Sequence, residues 1–88
     1  MNKQMKGAYE RYKRSTDFSL YDVYKTHSIY KEQAWRYCEE QCEKKQGHGL
    51  KVIGHNCMFF SAGFEYEEDG KRMFMWITPS YDRTAAVE

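Results

Sequence analysis

Residues 58–78 have the sequence MFFSAGFEYEEDGKRMFMWIT, and this stretch decides the fold of the chain. Aromatic and aliphatic residues alternate with other residues on both sides of the acidic segment 67–70, which predicts a β-hairpin. Pairing the strands around a four-residue loop at 67–70 divides their side chains between two faces. Both faces then carry aromatic rings, although an antiparallel sheet commonly needs only one apolar face.

The predicted register assigns one face of the hairpin to the core. Its pairs are Phe64 with Met73, Ala62 with Met75, and Phe60 with Ile77. The pairs on the reverse face are Glu65 with Arg72, Gly63 with Phe74, Ser61 with Trp76, and Phe59 with Thr78. A cross-strand ion pair and a ring over a glycine both favour this register. The reverse face is therefore either covered by the tyrosine-rich N-terminus or a binding surface.

A third strand precedes the hairpin. A three-residue turn at 55–57 places Val52 opposite Phe60 on the core face, which gives a three-stranded meander over residues 50–78. Pro79 cannot donate to a strand ladder and ends the last strand. Residues 80–83 are then expected to form a turn and residues 84–88 a tail.

The sequence predicts one main helix over residues 28–46. Ser28 is suited to the N-cap, and Gly47 lies where a left-handed C-cap belongs. One stripe of the helix is apolar, with three- and four-residue spacing, and consists of Ala34, Trp35, Cys38 and Cys42. Residues 1–6 are expected to fray. Tyrosines among charges favour a strand over 7–14, and residues 18–27 fit a strand or a short helix equally well.

These elements predict an α+β fold in a single domain of residues 1–88. It contains an antiparallel sheet of three to four strands, made of the C-terminal meander plus an N-terminal strand, with one main α-helix packed on one face. Hydrophobic residues make up 41% of the chain and charged residues 31%, a composition typical of globular proteins.

The lengths of the apolar runs and the spacing of Cys and His residues bear on cellular location and on cofactor binding. No apolar run is long enough to span a bilayer or to form a signal peptide, so we expect a cytoplasmic protein without membrane contact. The three cysteines are then reduced thiols. The residues of zinc-binding type are Cys38, Cys42, His48, His55 and Cys57. Their spacing does not match a structural zinc site, because the first two lie one turn apart on the helix. We expect no metal, no cofactor and no enzymatic activity.

Surface recognition is the remaining class of function. The chain has eight tyrosines, which are common in the energetically dominant parts of interfaces. The predicted binding residues are Phe59, Phe74, Trp76, Lys51, Arg72, Tyr9 and Tyr12. The leading hypothesis is a small intracellular protein that binds another protein. One alternative is a single-stranded nucleic-acid binder that stacks bases on this sheet face, helped by a basic N-terminal arm. Another is a homodimer that uses the face as its own interface.

Three segments carry a resemblance to a known group of proteins: 49–53 (GLKVI), 60–64 (FSAGF) and 77–82 (ITPSYD). With them, the chain resembles short uncharacterised accessory proteins encoded by bacterial phages and integrative elements. The resemblance covers most of residues 7–83 and brings no active-site residue with it. It implies binding of a host or competitor macromolecule, with a protein as the expected partner, rather than catalysis; some proteins of such elements act as inhibitors that block bacterial immune systems.

Overall fold

The computed structural model describes residues 1–15, 29–55 and 60–87. These described residues form two helices and four strands, in the order α1 Lys3–Arg14, α2 Ile29–Lys45, β1 Lys51–His55, β2 Phe60–Glu68, β3 Lys71–Ile77 and β4 Asp82–Ala86. The strands form one antiparallel sheet in the order β1-β2-β3-β4. The predicted α+β class with a four-stranded antiparallel sheet is confirmed. The fourth strand is C-terminal, however, and the N-terminal strand predicted over 7–14 is a helix.

Helix α2 agrees with the helix predicted over 28–46 to within one residue at each end. Its C-terminus is a Schellman motif, in which the Gln46 amide donates to the Glu43 carbonyl at 3.1 Å and the Gly47 amide to the Cys42 carbonyl at 2.9 Å. The left-handed residue is Gln46, with φ 53°, rather than Gly47 as predicted. Gly47 is needed for a different reason, since a Cβ there would lie 2.9 Å from a ring carbon of Phe64.

Helix α1 corrects the prediction that residues 1–6 fray and residues 7–14 form a strand. The Asn2 side chain caps the helix by accepting a hydrogen bond from the Met5 amide at 2.8 Å. Met5, Ala8 and Tyr12 are buried and share one stripe of the helix, because they are three and four residues apart. Burial of this stripe against the sheet outweighs the β propensity of the tyrosines.

The β2–β3 hairpin turns on two residues instead of the predicted loop at 67–70. Asp69 and Gly70 have φ values of 53° and 76°, as a type I′ turn requires. The observed pairs include Phe64 with Met75, Ala62 with Ile77, Glu65 with Phe74 and Gly63 with Trp76. The predicted partners are therefore wrong by two residues. The predicted faces are right, since side chains alternate with a period of two and a shift of two restores the same face.

The outer strands differ from the prediction in a similar way. Val52 pairs with Ala62 rather than with Phe60, again a shift of two, and the ladder is irregular between Val52 and Gly54. Strand β4 replaces the predicted turn at 80–83 and tail at 84–88, and it pairs with β3 along its whole length. The turn that returns the chain to the sheet is residues 78–81, which follow the end of β3. Residues 56–59, including the rest of the predicted 55–57 turn, lie outside the described residues.

The sheet lies between the two helices, and each of its faces has its own apolar cluster. The cluster on the α2 side consists of Trp35, Cys38, Val52, Ala62, Phe64, Tyr66, Met75 and Ile77. The cluster on the α1 side consists of Met5, Ala8, Tyr12, Phe74 and Trp76. Two covered faces explain why both faces of the hairpin carry aromatic rings.

Candidate functional site

The aromatic side of the hairpin is packed beneath α1. Phe74 is fully buried and Trp76 is 7% exposed. The Phe74 ring centroid lies 5.0 Å from that of Tyr12 and 5.2 Å from that of Tyr9. Phe59, the third ring of the predicted platform, lies outside the described residues. Among the described residues, the rings proposed to stack bases or to form a homodimer face instead belong to the core.

The polar members of the predicted site join α1 to the sheet. The Tyr9 hydroxyl donates to Oε1 of the buried Glu65 carboxylate at 3.3 Å, and Arg72 forms an ion pair with Oε2. The predicted Glu65–Arg72 pair is therefore present, although Glu65 pairs with Phe74 in the ladder. Burial and the neighbouring Glu65 charge raise the pKa of Tyr9.

Two of the five basic residues of α1 lie over aromatic rings. Lys13 Nζ lies 5.0 Å from the Tyr9 ring centroid, and Arg11 lies 5.9 Å from that of Trp76. Lys51, another predicted site residue, extends over the Tyr12 ring at 5.1 Å. These cation–π contacts border the apolar cluster on the α1 side, so Lys51 and the rings of Tyr9, Tyr12 and Trp76 take part in the packing there.

The surface feature best suited to binding is a cleft between α2 and the start of β4, which we call the α2–β4 cleft. It has a volume of about 410 Å³. Side chains of α2 form one wall, and the end of β3, the 78–81 turn and Asp82 form the other. Its rim is open to solvent, because Tyr37, Pro79, Ser80 and Asp82 are all exposed.

Tyr37 and Asp82 meet across this cleft. The Tyr37 side chain is 43% exposed, and its hydroxyl donates a hydrogen bond to Oδ2 of Asp82. This hydrogen bond, with partial burial and the Asp82 charge, raises the pKa of Tyr37 to about 12. The contact joins residues 45 positions apart in the sequence and links the exposed ring of Tyr37 to the start of β4.

The turn on the other wall is held by a buried side chain. Thr78 Oγ1 accepts hydrogen bonds from the amides of Ser80 and Tyr81 at 3.3 and 3.2 Å, and the hydroxyl donates to the Tyr81 carbonyl at 3.2 Å. The Thr78 amide also donates to that carbonyl, at 2.9 Å. Pro79 and Ser80 are thereby presented on a fixed backbone at the rim.

Cys38 lies in the floor of the cleft, where its chemistry is that of a packed thiol. It is 1% exposed, and burial, followed by the Asp82 charge, raises its pKa to about 12. The thiol is thus protonated at neutral pH, whereas a nucleophilic cysteine needs a lowered pKa. Burial also raises the pKa of Cys42. Cys57, which the sequence places among the residues of zinc-binding type, lies outside the described residues.

The α2–β4 cleft was not predicted from the sequence. Tyr37 lies off the apolar stripe of α2, and this is the one sequence signal that marks it as an exposed ring. Asp82 and Tyr81 fall in the turn predicted over residues 80–83. Their approach to Tyr37 depends on β4, which the sequence does not predict.

Searches with the sequence against protein-family models and curated proteins, and with the fold against solved structures, found no match. Within residues 1–15, 29–55 and 60–87, no three His, Cys, Asp or Glu side chains are grouped so that they could hold a metal ion, and neither helix has the length and apolar character of a membrane span.

Proposed function

We propose that this chain is a small intracellular, non-enzymatic protein that binds another protein through the α2–β4 cleft. The observation that carries the proposal is the exposed Tyr37 ring, held by Asp82 at the rim of a cleft of about 410 Å³. Tyrosine provides a large rigid contact area at low entropic cost and is enriched among the residues that dominate binding energy.

The cleft also meets the requirement that a binding surface be largely formed before the partner arrives. The Tyr37–Asp82 hydrogen bond restricts one wall, and the Thr78 hydrogen bonds restrict the other. Groups fixed before binding lose less conformational entropy when the partner docks. The resemblance to accessory proteins of phages and integrative elements favours a host or competitor protein as this partner, with inhibition as the outcome.

Quantitative capture from a bacterial lysate tests this function. We expect the wild-type protein to retain a defined protein, and Tyr37→Ala and Ser80→Arg each to lower its recovery at least tenfold. Lys44→Ala is the matched control, because Lys44 is also exposed on α2 but does not line the cleft. Recovery that is equal for the wild type, Tyr37→Ala and Ser80→Arg would overturn the proposal.

A second candidate function, nucleic-acid binding, is supported by the outer surface of α1. This helix carries five Lys or Arg residues and one Glu. Lys3, Lys6 and Arg14 are exposed and form no ion pair within the described part of the chain. A basic helix face attracts phosphates, and the resulting affinity falls steeply with salt. Salt-sensitive binding of a fluorescent 20-nucleotide DNA that is lost in Lys3→Glu/Lys6→Glu would favour this function over the first.

A further inference from the structure

The polar groups that line the α2–β4 cleft are suited to receive hydrogen bonds from a cation. They include the Asp82 carboxylate and the hydroxyl groups of Tyr37 and Ser80, and none of the described residues that line the cleft is a Lys or an Arg. Asp82 forms no ion pair with any described residue. Its carboxylate has about four acceptor positions, of which the Tyr37 hydroxyl uses one.

The arginine next to Asp82 in the sequence is occupied elsewhere. Successive side chains of β4 point to opposite faces, and Arg83 bonds to Gln4 of α1. Its guanidinium carbon also lies 4.2 Å from the Tyr81 ring centroid. The Asp82 charge is therefore left without a cation from its own strand neighbour.

The side-chain charges that act on Tyr37 and Cys38 in the cleft are negative. The Asp82 charge raises the pKa of both Tyr37 and Cys38. Glu40 adds to this effect at Tyr37 and Glu39 adds to it at Cys38. A positive group that enters the cleft gains a favourable interaction with each of these carboxylates.

We propose that the α2–β4 cleft binds an arginine side chain of the partner protein, with its guanidinium group against Asp82. The planar guanidinium has five N–H donors, pairs with a carboxylate through two hydrogen bonds and stacks on aromatic rings such as Tyr37. Lysine has neither the planar donor pair nor the stacking surface. The methylene stem would lie against Ile77 and Pro79, which also line the cleft. This inference rests on the proposed protein-binding function and specifies the partner group that is recognised.

Titration of the ¹⁵N-labelled protein with a blocked Gly-Arg-Gly peptide, followed by NMR, tests the inference directly. We expect saturable amide shifts confined to residues 33–38 and 77–82. The matched peptide with citrulline in place of arginine keeps the shape and loses the charge, and we expect it to bind at least tenfold more weakly. A lysine peptide should also bind more weakly than the arginine peptide.

Variants then assign the interaction to Asp82. Asp82→Asn should weaken arginine-peptide binding at least tenfold, whereas Asp69→Asn, in the β2–β3 turn, should leave it unchanged. The citrulline comparison uses the wild-type protein, so it decides the question even if Asp82→Asn does not fold. Equal binding of the arginine and citrulline peptides, or shifts outside the cleft, would overturn the inference. Saturation by agmatine, a free guanidinium compound, without saturation by the arginine peptide would also overturn it.

The two proposals fail in different ways. Suppose that Tyr37→Ala abolishes capture from the lysate, whereas neither Asp82→Asn nor an excess of the arginine peptide reduces it. The cleft then binds a protein, and the arginine inference is wrong. If capture does not depend on Tyr37, the proposed function itself is wrong.

Discussion

Replacing Gly63 by alanine should destabilise the protein, because this glycine lies directly beneath the rings that join α1 to the sheet. A Cβ at position 63 would lie 2.7 Å from Cε1 and 3.0 Å from Cζ of Phe74, and 3.1 Å from Cδ1 of Tyr12. Atoms this close must separate. Phe74 is fully buried, with Tyr9 and Tyr12 packed against it, so its ring cannot move without displacing α1.

The expected size of the effect follows from two opposing contributions. Overpacking a core costs about 1–3 kcal/mol. Removing the conformational freedom of a glycine returns about 0.5–1 kcal/mol. Because three ring atoms lie within 3.1 Å of the added Cβ, the upper part of the overpacking range applies, about 2–3 kcal/mol. We therefore expect Gly63→Ala to lower the free energy of unfolding by about 1–2.5 kcal/mol, which corresponds to a fall in Tm of about 4–8 °C per kcal/mol for a domain of this size.

Gly7→Ala is the matched control, with the opposite expected sign. Gly7 lies inside α1, and a Cβ at this position would have no atom within 4 Å. Alanine is preferred over glycine in a helix interior by about 0.8–1.0 kcal/mol, so this variant should be more stable than the wild type.

Urea denaturation followed by circular dichroism measures both variants. The double variant Gly63→Ala/Phe74→Leu should lose less stability than the two single changes added together, because the smaller side chain relieves the overlap. A Gly63→Ala protein as stable as the wild type would refute the packing of α1 on this face.

Three further predictions concern the α2–β4 cleft and the β2–β3 turn. In an ultraviolet pH titration, Tyr37 should ionise near pH 12, and Asp82→Asn should lower that pKa. The pKa of Tyr37 in the folded protein lies above the usual 10.0. The stabilisation from this hydrogen bond is therefore complete below about pH 10 and is lost as the pH rises toward 12. Ionisation of Tyr37 near pH 10 would contradict the contact. The second prediction concerns a variant in which the other cysteines are serine. Its Cys38 should be alkylated about 10³-fold more slowly in the native protein than in urea, because a pKa raised from 9.0 to about 12 reduces the thiolate fraction by that factor. Equal alkylation rates would contradict the burial of Cys38. Gly70→Ala should destabilise the protein by about 1–2 kcal/mol in the same urea assay, since φ is 76° there, and Gly70→Asn should cost less; a neutral Gly70→Ala would favour the longer loop.

The division of the hairpin into two faces was predictable from the sequence, whereas its register was not. Because side chains alternate along a strand, Phe64 and Met75 lie on one face and Phe74 and Trp76 on the other. A register shifted by two residues from the observed one leaves these faces unchanged. The turn chemistry contains the missing information, because Asp-Gly is a strong signal for a two-residue type I′ turn. The apparent cross-strand pairing of Glu65 with Arg72 favoured the longer loop instead, and the same ion pair forms diagonally in the structure.

The sequence also contains the signals that predict helix α1. Met5, Ala8 and Tyr12 have helical spacing, and Asn2 is a good N-cap. Treating residues 1–6 as a frayed end removed Met5 from that pattern and left the tyrosines to suggest a strand. The choice between strand and helix depended on what covers Phe74 and Trp76, which is a tertiary contact.

Strand β4 and the cleft beside it could not be predicted from local sequence patterns. Residues 82–86 include two alanines, which have low β propensity, and their strand conformation comes from pairing with β3. The contact of Tyr37 with Asp82 exists only once this strand is in place. The candidate site therefore depends on long-range pairing, while the core depends mostly on alternation and helical periodicity.

The most direct test of the structure is a nuclear Overhauser measurement between the rings of Tyr12 and Phe74. The Tyr12 and Phe74 ring centroids lie 5.0 Å apart, and α1 covers the aromatic side of the sheet. We expect strong cross-peaks between the two rings and between the Tyr12 ring and the Gly63 α-protons. Absence of these cross-peaks in the folded protein would show that the aromatic face is open, and the search for a binding surface would return to Phe74 and Trp76.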